Sequence, residues 1–330
     1  MMLELLKKVL KPVAPSGLEE PVAAVIREEV APYVDSIETD ALGNLICVKN
    51  GTEANPEKIM LSAHMDHIGY IVTGIEKEGF LRVTNVGGIS PTMSLTRHVS
   101  FPNGVQGVVV SEGSKDTAMK DLFVDIGAQD KADAETMVQI GDVCVYANDC
   151  FQLGANRVAS PAMDDRAACA LLIRFLQTVG ATKQTIIAVF SVQEEVGCRG
   201  AKGAAFQQEP DIGIVLEGTT CNDLGDVPET AHVCEAGQGV AVSFMDGASI
   251  ANRALFRKAL DVAKQENIPH QVKHSVSGGN DGGAIQRARE GVPVVVLSVP
   301  CRYIHSPSSV VKLSDVESQF ALVKALVKAL

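Results

Sequence analysis

Four stretches of this 330-residue chain are continuous apolar runs of strand length: KIMLSA at 58–63, TIIAVFSV at 185–192, IGIVL at 212–216 and PVVVLSV at 293–299. Runs of this length and composition read as buried strands. VAVSFMDG at 240–247 and HQVKHSV at 270–276 read as further strands. Helical patterns stand between and after them, at 165–179, 250–266, 284–290 and 314–330. Strands alternating with helices imply an α/β sheet flanked by helices. The N-terminal part carries the same alternation. MMLELLKKVLKPV is an amphipathic helix, Ser16 and Glu19 have capping-box spacing, and Pro21 falls in the first turn of the helix through 22–30. NLICVKNGT then reads as a strand entering an Asn-Gly turn.

Between 69 and 159 the texture changes. GYIVTGI, FLRVTNV, HVSFPNGVQGVVV and GDVCVYAND are short strand-like runs separated by Gly, Asn and Lys-Glu-Gly turns, and only KADAETMVQI looks helical. Runs this short at this spacing suggest a small β domain or barrel. The economical parse is a mixed central sheet flanked by helices, built from residues 1–68 and 160–330, with a β-rich unit inserted at 69–159.

Charge and composition exclude several functions. A net charge of −11 argues against nucleic-acid binding, which needs basic surface to neutralise phosphates. Apolar stretches fall short of the about 18 residues that span a bilayer. Tryptophan is absent and aromatics are 4%, so stacked platforms for carbohydrate have little material. Eight cysteines lie scattered without a C-x-x-C pair, and the N-terminus lacks the order of a signal peptide. Reduced thiols and a cytoplasmic location are the expectation.

In open α/β sheets, ligands bind beyond the carboxyl ends of the strands. Those ends carry His64 and Asp66, then Glu194 and Glu195, then Glu217, then His305, while Asp164 and Asp165 open the helix in SPAMDDRAA. Two histidines with several carboxylates suit divalent zinc, cobalt or manganese and exceed what one tetrahedral site needs. Two ions bridged by a carboxylate would use the whole set. Of the adjacent pair Glu194 and Glu195, one can bind metal while the other stays free as a base. Asp66 is placed to accept the second imidazole N–H of His64. Taken singly, each residue has a plainer role: Asp164 as a helix cap, His67 as a cleft-lining side chain, and His98, His232, His270 and His274 as ordinary core or rim residues.

AHMDHIG, MDDRAA, SVQEEVGCRGA, GGNDGG and CRYIHSP, in this order and at these intervals, resemble the glutamyl or deblocking aminopeptidases of the tetrahedral type. These are di-metal enzymes that form twelve-subunit particles, and some carry the name endoglucanase. The resemblance spans essentially the whole chain and implies a zinc-exopeptidase-like fold with an inserted β-barrel used for self-association. It also implies roles: Asp164 bridging two ions and joined to Asp165 by a cis peptide, His64 and Glu217 on one ion, Glu195 and His305 on the other. Glu194 would be the general base and Asp66 the orienter of His64. The sequence departs from the family pattern at His67, commonly Glu, at Glu217, usually Asp, and at Asn280, commonly Thr.

The function so implied is hydrolysis of N-terminal residues from peptides with a free N-terminus, using a water acidified by the metals and a glutamate base. Two rivals remain. A metal-independent glycosidase could also use two carboxylates, against which the missing tryptophan and the paired histidines count. A non-catalytic assembly protein on a peptidase fold would be expected to lack the base or a ligand, and this chain keeps the full set.

Overall fold

The computed structural model describes residues 2–112, 117–147, 150–276 and 278–330, so the end of GDVCVYAND, residues 148 and 149, lies outside the described residues. In chain order the strands are β1 Ser36–Thr39, β2 Leu45–Lys49 and β3 Lys58–His64, then β4 Gly69–Ile75, β5 Leu81–Val86 and β6 His98–Ser100. There follow β7 Gln106–Ser111, β8 Leu122–Asp125, β9 Val143–Tyr146, β10 Phe151–Leu153, β11 Arg157–Ser160 and β12 Thr185–Ser191. The last five are β13 Ile212–Thr220, β14 Val240–Ser243, β15 His270–Val272, β16 Val294–Arg302 and β17 Ser309–Lys312.

One mixed sheet runs β1-β2-β12-β3-β13-β16-β17-β11-β10, with β14 and β15 branching from β16. Its centre, β12, β3, β13 and β16, is parallel, and these are the four continuous apolar runs of the sequence. Parallel strands are buried on both faces, which is why they do not alternate. One face, with Leu61, Phe190, Leu216 and Leu297, packs on the large core formed with the helices at 2–10, 20–30, 163–178, 253–265 and 313–329. The other face, with Met60, Ile187, Val189 and Val215, packs on the shorter helices Arg199–Gln208 and Asp281–Gln286. The second unit is a closed six-stranded barrel, β4-β5-β8-β7-β6-β9, around its own apolar core of Tyr70, Leu81, Val109 and Val124. Among the described residues no helix is long and apolar enough to cross a membrane.

The expected fold class, a helix-flanked mixed sheet with an inserted small barrel, is the one observed. Within 69–159 the barrel occupies Gly69–Tyr146, whereas β10 and β11 pair onto the edge of the large sheet. Three local expectations need correcting. Ser16 and Glu19 do not form a capping box: the helix starts at Glu20 without a side-chain cap. Glu19 instead accepts from the backbone N–H of Gly17 (2.8 Å) and Gln193 (3.1 Å), and Ser16 donates to Asp66 (2.6 Å). The helix expected at 284–290 is Asp281–Gln286, because the Asn280 side chain caps it from the Gly282 N–H and Arg289 turns left-handed at φ 52°. HQVKHSV is a strand only over His270–Val272.

Candidate metal centre

Register brings the first pair of side chains together. Ser191 of β12 pairs with His64 of β3, and Val215 of β13 pairs with Ser62. Two residues further along, Glu217 is level with His64 on the same face, as the period-two alternation of strands requires. His64 Nε2 lies 3.2 Å from Glu217 Oε1. Near its carboxyl end this face turns from apolar to polar, and Ser62 and Ser191 both donate to Asp281 Oδ2 from the neighbouring helix.

Asp164 stands between this pair and a second one. Its Oδ1 is 3.6 Å from His64 Nε2 and its Oδ2 is 3.3 Å from His305 Nε2, which is itself 3.2 Å from Glu195 Oε2. Asp164 and Asp165 interrupt helical geometry at the start of Met163–Thr178, and the peptide joining them is cis. Gly218 permits this approach, since a Cβ there would sit 2.8 Å from Asp164 Oδ1. Asp165 Oδ2 accepts from the backbone N–H of His64 (3.3 Å).

Asp66 acts on the loops as much as on the ring. The His64 Nδ1 hydrogen bond goes to the backbone carbonyl of Asp66 (2.9 Å), with the carboxylate 3.6 Å away. The carboxylate accepts from the backbone N–H groups of Glu194 (3.0 Å) and Glu195 (3.2 Å), tying the turn after β12 to the turn after β3. Gln193, at φ 55°, begins that turn, and the two glutamates diverge from it. Glu195 reaches His305, whereas Glu194 accepts from Cys198 Sγ (3.3 Å).

The electrostatics are those of a crowded acidic cluster. Burial pushes Glu217 up to about 8 and Glu194 up to about 10, with neighbouring carboxylates adding to both. Burial opposes protonation of His64 and His305, yet the adjoining carboxylates raise both, His305 to about 11. Asp164 Oδ1, Glu195 Oε1 and Glu217 Oε2 are buried without a hydrogen-bond partner. A buried carboxylate oxygen without a donor is costly. The donor set fits borderline divalent ions: ligand atoms of His64, Asp164 and Glu217 lie within 4.8 Å of one another, as do those of Asp164, Glu195 and His305. A cleft of about 210 Å³ opens over them, lined also by Lys273, Asn280 and Ile304. A larger hollow of about 450 Å³ beside Gly17 and Asn103 holds no such cluster.

His64, Asp66, Asp164, Glu194, Glu195, Glu217 and His305 therefore converge, and His98, His232, His270 and His274 join no metal-capable group among the described residues. Sequence reasoning missed several neighbours. Arg166 is fully buried and donates to the carbonyls of Met65, Val9 (2.6 Å) and Ala14 (3.1 Å); its one signal was a charge at the head of an apolar helix. Gly87 and Gly88, from the barrel, lie against the second pair: added Cβ atoms would come within 3.3 Å of Glu195 Oε2 and 3.0 Å of His305 Nδ1. His67 is buried with both ring nitrogens unpartnered, and burial, with Arg166 nearby, pushes it down to about 3.

The family profile of M42 glutamyl aminopeptidases matches residues 43–322. The lysyl aminopeptidase of Pyrococcus furiosus is 34% identical, over 99% of this chain and 97% of its own length. An aminopeptidase from the archaeon Desulfurococcus kamchatkensis superimposes with a TM-score of 0.96 at 32% identity, covering 100% of this chain and 95% of that one. A TET peptidase of Pyrococcus horikoshii, which can assemble into a tetrahedron or a large octahedral shell, gives a TM-score of 0.89 at 32% identity, with both chains covered completely. The five motifs that first suggested a kinship thus sit inside a match of sequence and fold over nearly the whole length, and the chain belongs to the M42 glutamyl aminopeptidase family.

Proposed function

We propose that this protein is a metal-dependent aminopeptidase that removes N-terminal residues from peptides with Glu194 as general base. The observation that supports this reading is the convergence of two imidazoles and three orphaned carboxylate oxygens around Asp164. His64 and Glu217 would hold one divalent ion, Glu195 and His305 the other, and Asp164 both, with zinc, cobalt or manganese suited to the donors. Bound there, such ions supply Lewis-acid polarisation of the scissile carbonyl and acidify a water molecule. Glu194 takes a proton from the attacking water and returns it to the leaving amine. Its carboxyl is pushed up to about 10 by burial first, and positive charge at the two triads lowers it towards the range where a base works at neutral pH. Asp66 fixes the turn that carries Glu194 and Glu195. The carboxylate-rich cleft suits the free α-ammonium of a substrate, which favours exopeptidase over endopeptidase action.

Stripping metal with EDTA should abolish hydrolysis of a panel of aminoacyl-nitroanilides, and added zinc or cobalt should restore it. Persistence of activity in EDTA, with oligosaccharides cleaved instead, would sink the reading in favour of a glycosidase. We further infer that the catalytic unit is the large sheet with its helices and that the barrel mediates self-association into a closed particle, as the particle of the Pyrococcus horikoshii relative suggests. A chain lacking 69–146, closed by a short linker, should give a smaller species in light scattering. An unchanged assembly would overturn that assignment.

A further inference from the structure

Beside the two triads lies a third group of donors. Glu194, Cys198 and Asp281 each bring one ligand atom within 4.8 Å of the other two. They come from three separately fixed places. Glu194 is held by its backbone N–H on Asp66. Cys198 precedes the helix Arg199–Gln208 in a left-handed conformation at φ 52°, its N–H bonded to the Glu194 carbonyl (2.9 Å). Asp281 opens the helix Asp281–Gln286 and is 1% exposed. The Ser62 and Ser191 hydroxyls occupy Asp281 Oδ2, while Oδ1 is buried with no hydrogen-bond partner. A carboxylate oxygen withdrawn from water and given no donor is matched by a cation. Glu194 and Cys198 are half-buried, and Glu194 also lines the cleft over the two triads.

We propose that Glu194, Cys198 and Asp281 form a third cation site that takes thiophilic divalent ions such as zinc, cobalt or cadmium, and that filling it silences Glu194 as the base. The inhibitory half rests on the role assigned to Glu194 above. One sulfur and two carboxylate oxygens leave a fourth position of a tetrahedral ion to solvent. The thiolate selects softer ions over magnesium or manganese. On binding, the Cys198 Sγ–H bond breaks, its proton leaves to solvent and the sulfur lone pair joins the ion, with no change of oxidation state. The Glu194 oxygen that faced the thiol then directs a lone pair at the ion, and the ion's charge lowers the basicity of the carboxylate that has to take a proton from water. The same metal that supports turnover when scarce would suppress it in excess.

Metal-stripped protein titrated with cobalt gives a readout independent of turnover. A third equivalent should bring the near-ultraviolet charge-transfer band of a thiolate–cobalt bond. Cys198→Ser should lose the band and the third equivalent and keep the first two. Asp281→Asn should weaken the third equivalent and keep the band at higher cobalt. In parallel, excess zinc should depress wild-type hydrolysis by about 10²-fold or more, the share of a general base, and leave the residual rate of Cys198→Ser insensitive. A wild type without the band at three equivalents, or a band retained in Cys198→Ser, overturns the site. Absence of hydrolysis at every metal loading would refute the proposed function and the inhibitory role, while a Cys198-dependent band would still establish the site.

Discussion

His64 and Glu217 stand on adjacent parallel strands, level by register and almost fully buried, whereas Glu195 and His305 stand on turns beyond strand ends. His305 is left-handed at φ 58° and its side chain is 35% exposed. The first pair is placed by the hydrogen-bond ladder of the sheet, so its geometry is as rigid as the sheet. The second depends on loop contacts, including Gly87 and Gly88 lent by the barrel. The Asp164 carboxylate, set between His64 and His305, joins a rigid half to an adjustable one. Groups on rigid elements keep their spacing more closely than groups on loops, so under the proposed two-ion reading the second half should release its ion first.

The largest effect tests whether holding metal and turning over are separable at all. Glu194→Gln keeps the shape and removes the proton acceptor, and should lower kcat by about 10²–10⁴ with the first two metal equivalents, those of the two triads, retained. Loss of the first two equivalents equal to that of Glu195→Gln would make Glu194 a ligand of the triads instead. Next come the ligands themselves. Glu195→Gln should deplete the second ion and Glu217→Gln the first, each by more than the roughly 10–100-fold that even changes around the ligands produce. Calorimetric metal titration of both variants distinguishes two steps from one, and identical loss of both ions in each variant would void the contrast drawn here.

A gentler test moves the loop without touching a ligand. Gly88→Ala places a methyl about 3.0 Å from His305 Nδ1, an overpacking on the order of 1–3 kcal/mol, and should weaken the second ion alone by about tenfold. Gly218→Ala crowds the shared Asp164 and should weaken both. A separate effect, on stability and not on metal, concerns pH. Because burial lowers His67 from 6.5 to about 3, the unfolded chain binds more protons between those values. Its contribution therefore favours folding above 6.5 and is lost progressively as pH falls towards 3. His67→Phe should flatten that part of a denaturation-midpoint-against-pH curve, and an unchanged slope would mean that His67 does not carry it.

What could be read from the chain follows from the same contrast. His64 and Glu217, on rigid strands, stood out as candidates because an apolar run that ends in His or Glu has no packing reason to do so. His305 and Glu195 were visible by the same rule, although the turns that aim them were not. Asp281, Gly87 and Gly88 reach the site through tertiary contact, and although SVQEEVGCRGA and GGNDGG contain Cys198 and Asp281, nothing in those motifs marks the two as donors. Ser16 and Glu19 show the converse error: their spacing is that of a helix cap, but their side chains serve the turns of Asp66 and Gln193. Spacing alone cannot say whether a polar side chain faces its own helix or a neighbouring segment. The pair β10 and β11 was merged with the barrel for a related reason, since a short strand carries no label for the sheet it will join.

Arg166 gives the N-terminal segment a part in the timing of assembly. Its guanidinium is shared among carbonyls of residues 9, 14 and 65, so it joins the first helix to the turn that bears Asp66. During synthesis those carbonyls emerge first and wait until about half of the chain has been made before the charge that gathers them exists. Until then the opening helix lacks this tie to the turn beside the cleft. Once anchored, it acts as a strut: loss of the first ten residues would leave a desolvated cation short of an acceptor directly beneath the turn carrying Asp66, so damage at the far end of the chain would be felt where Glu194 and Glu195 are held.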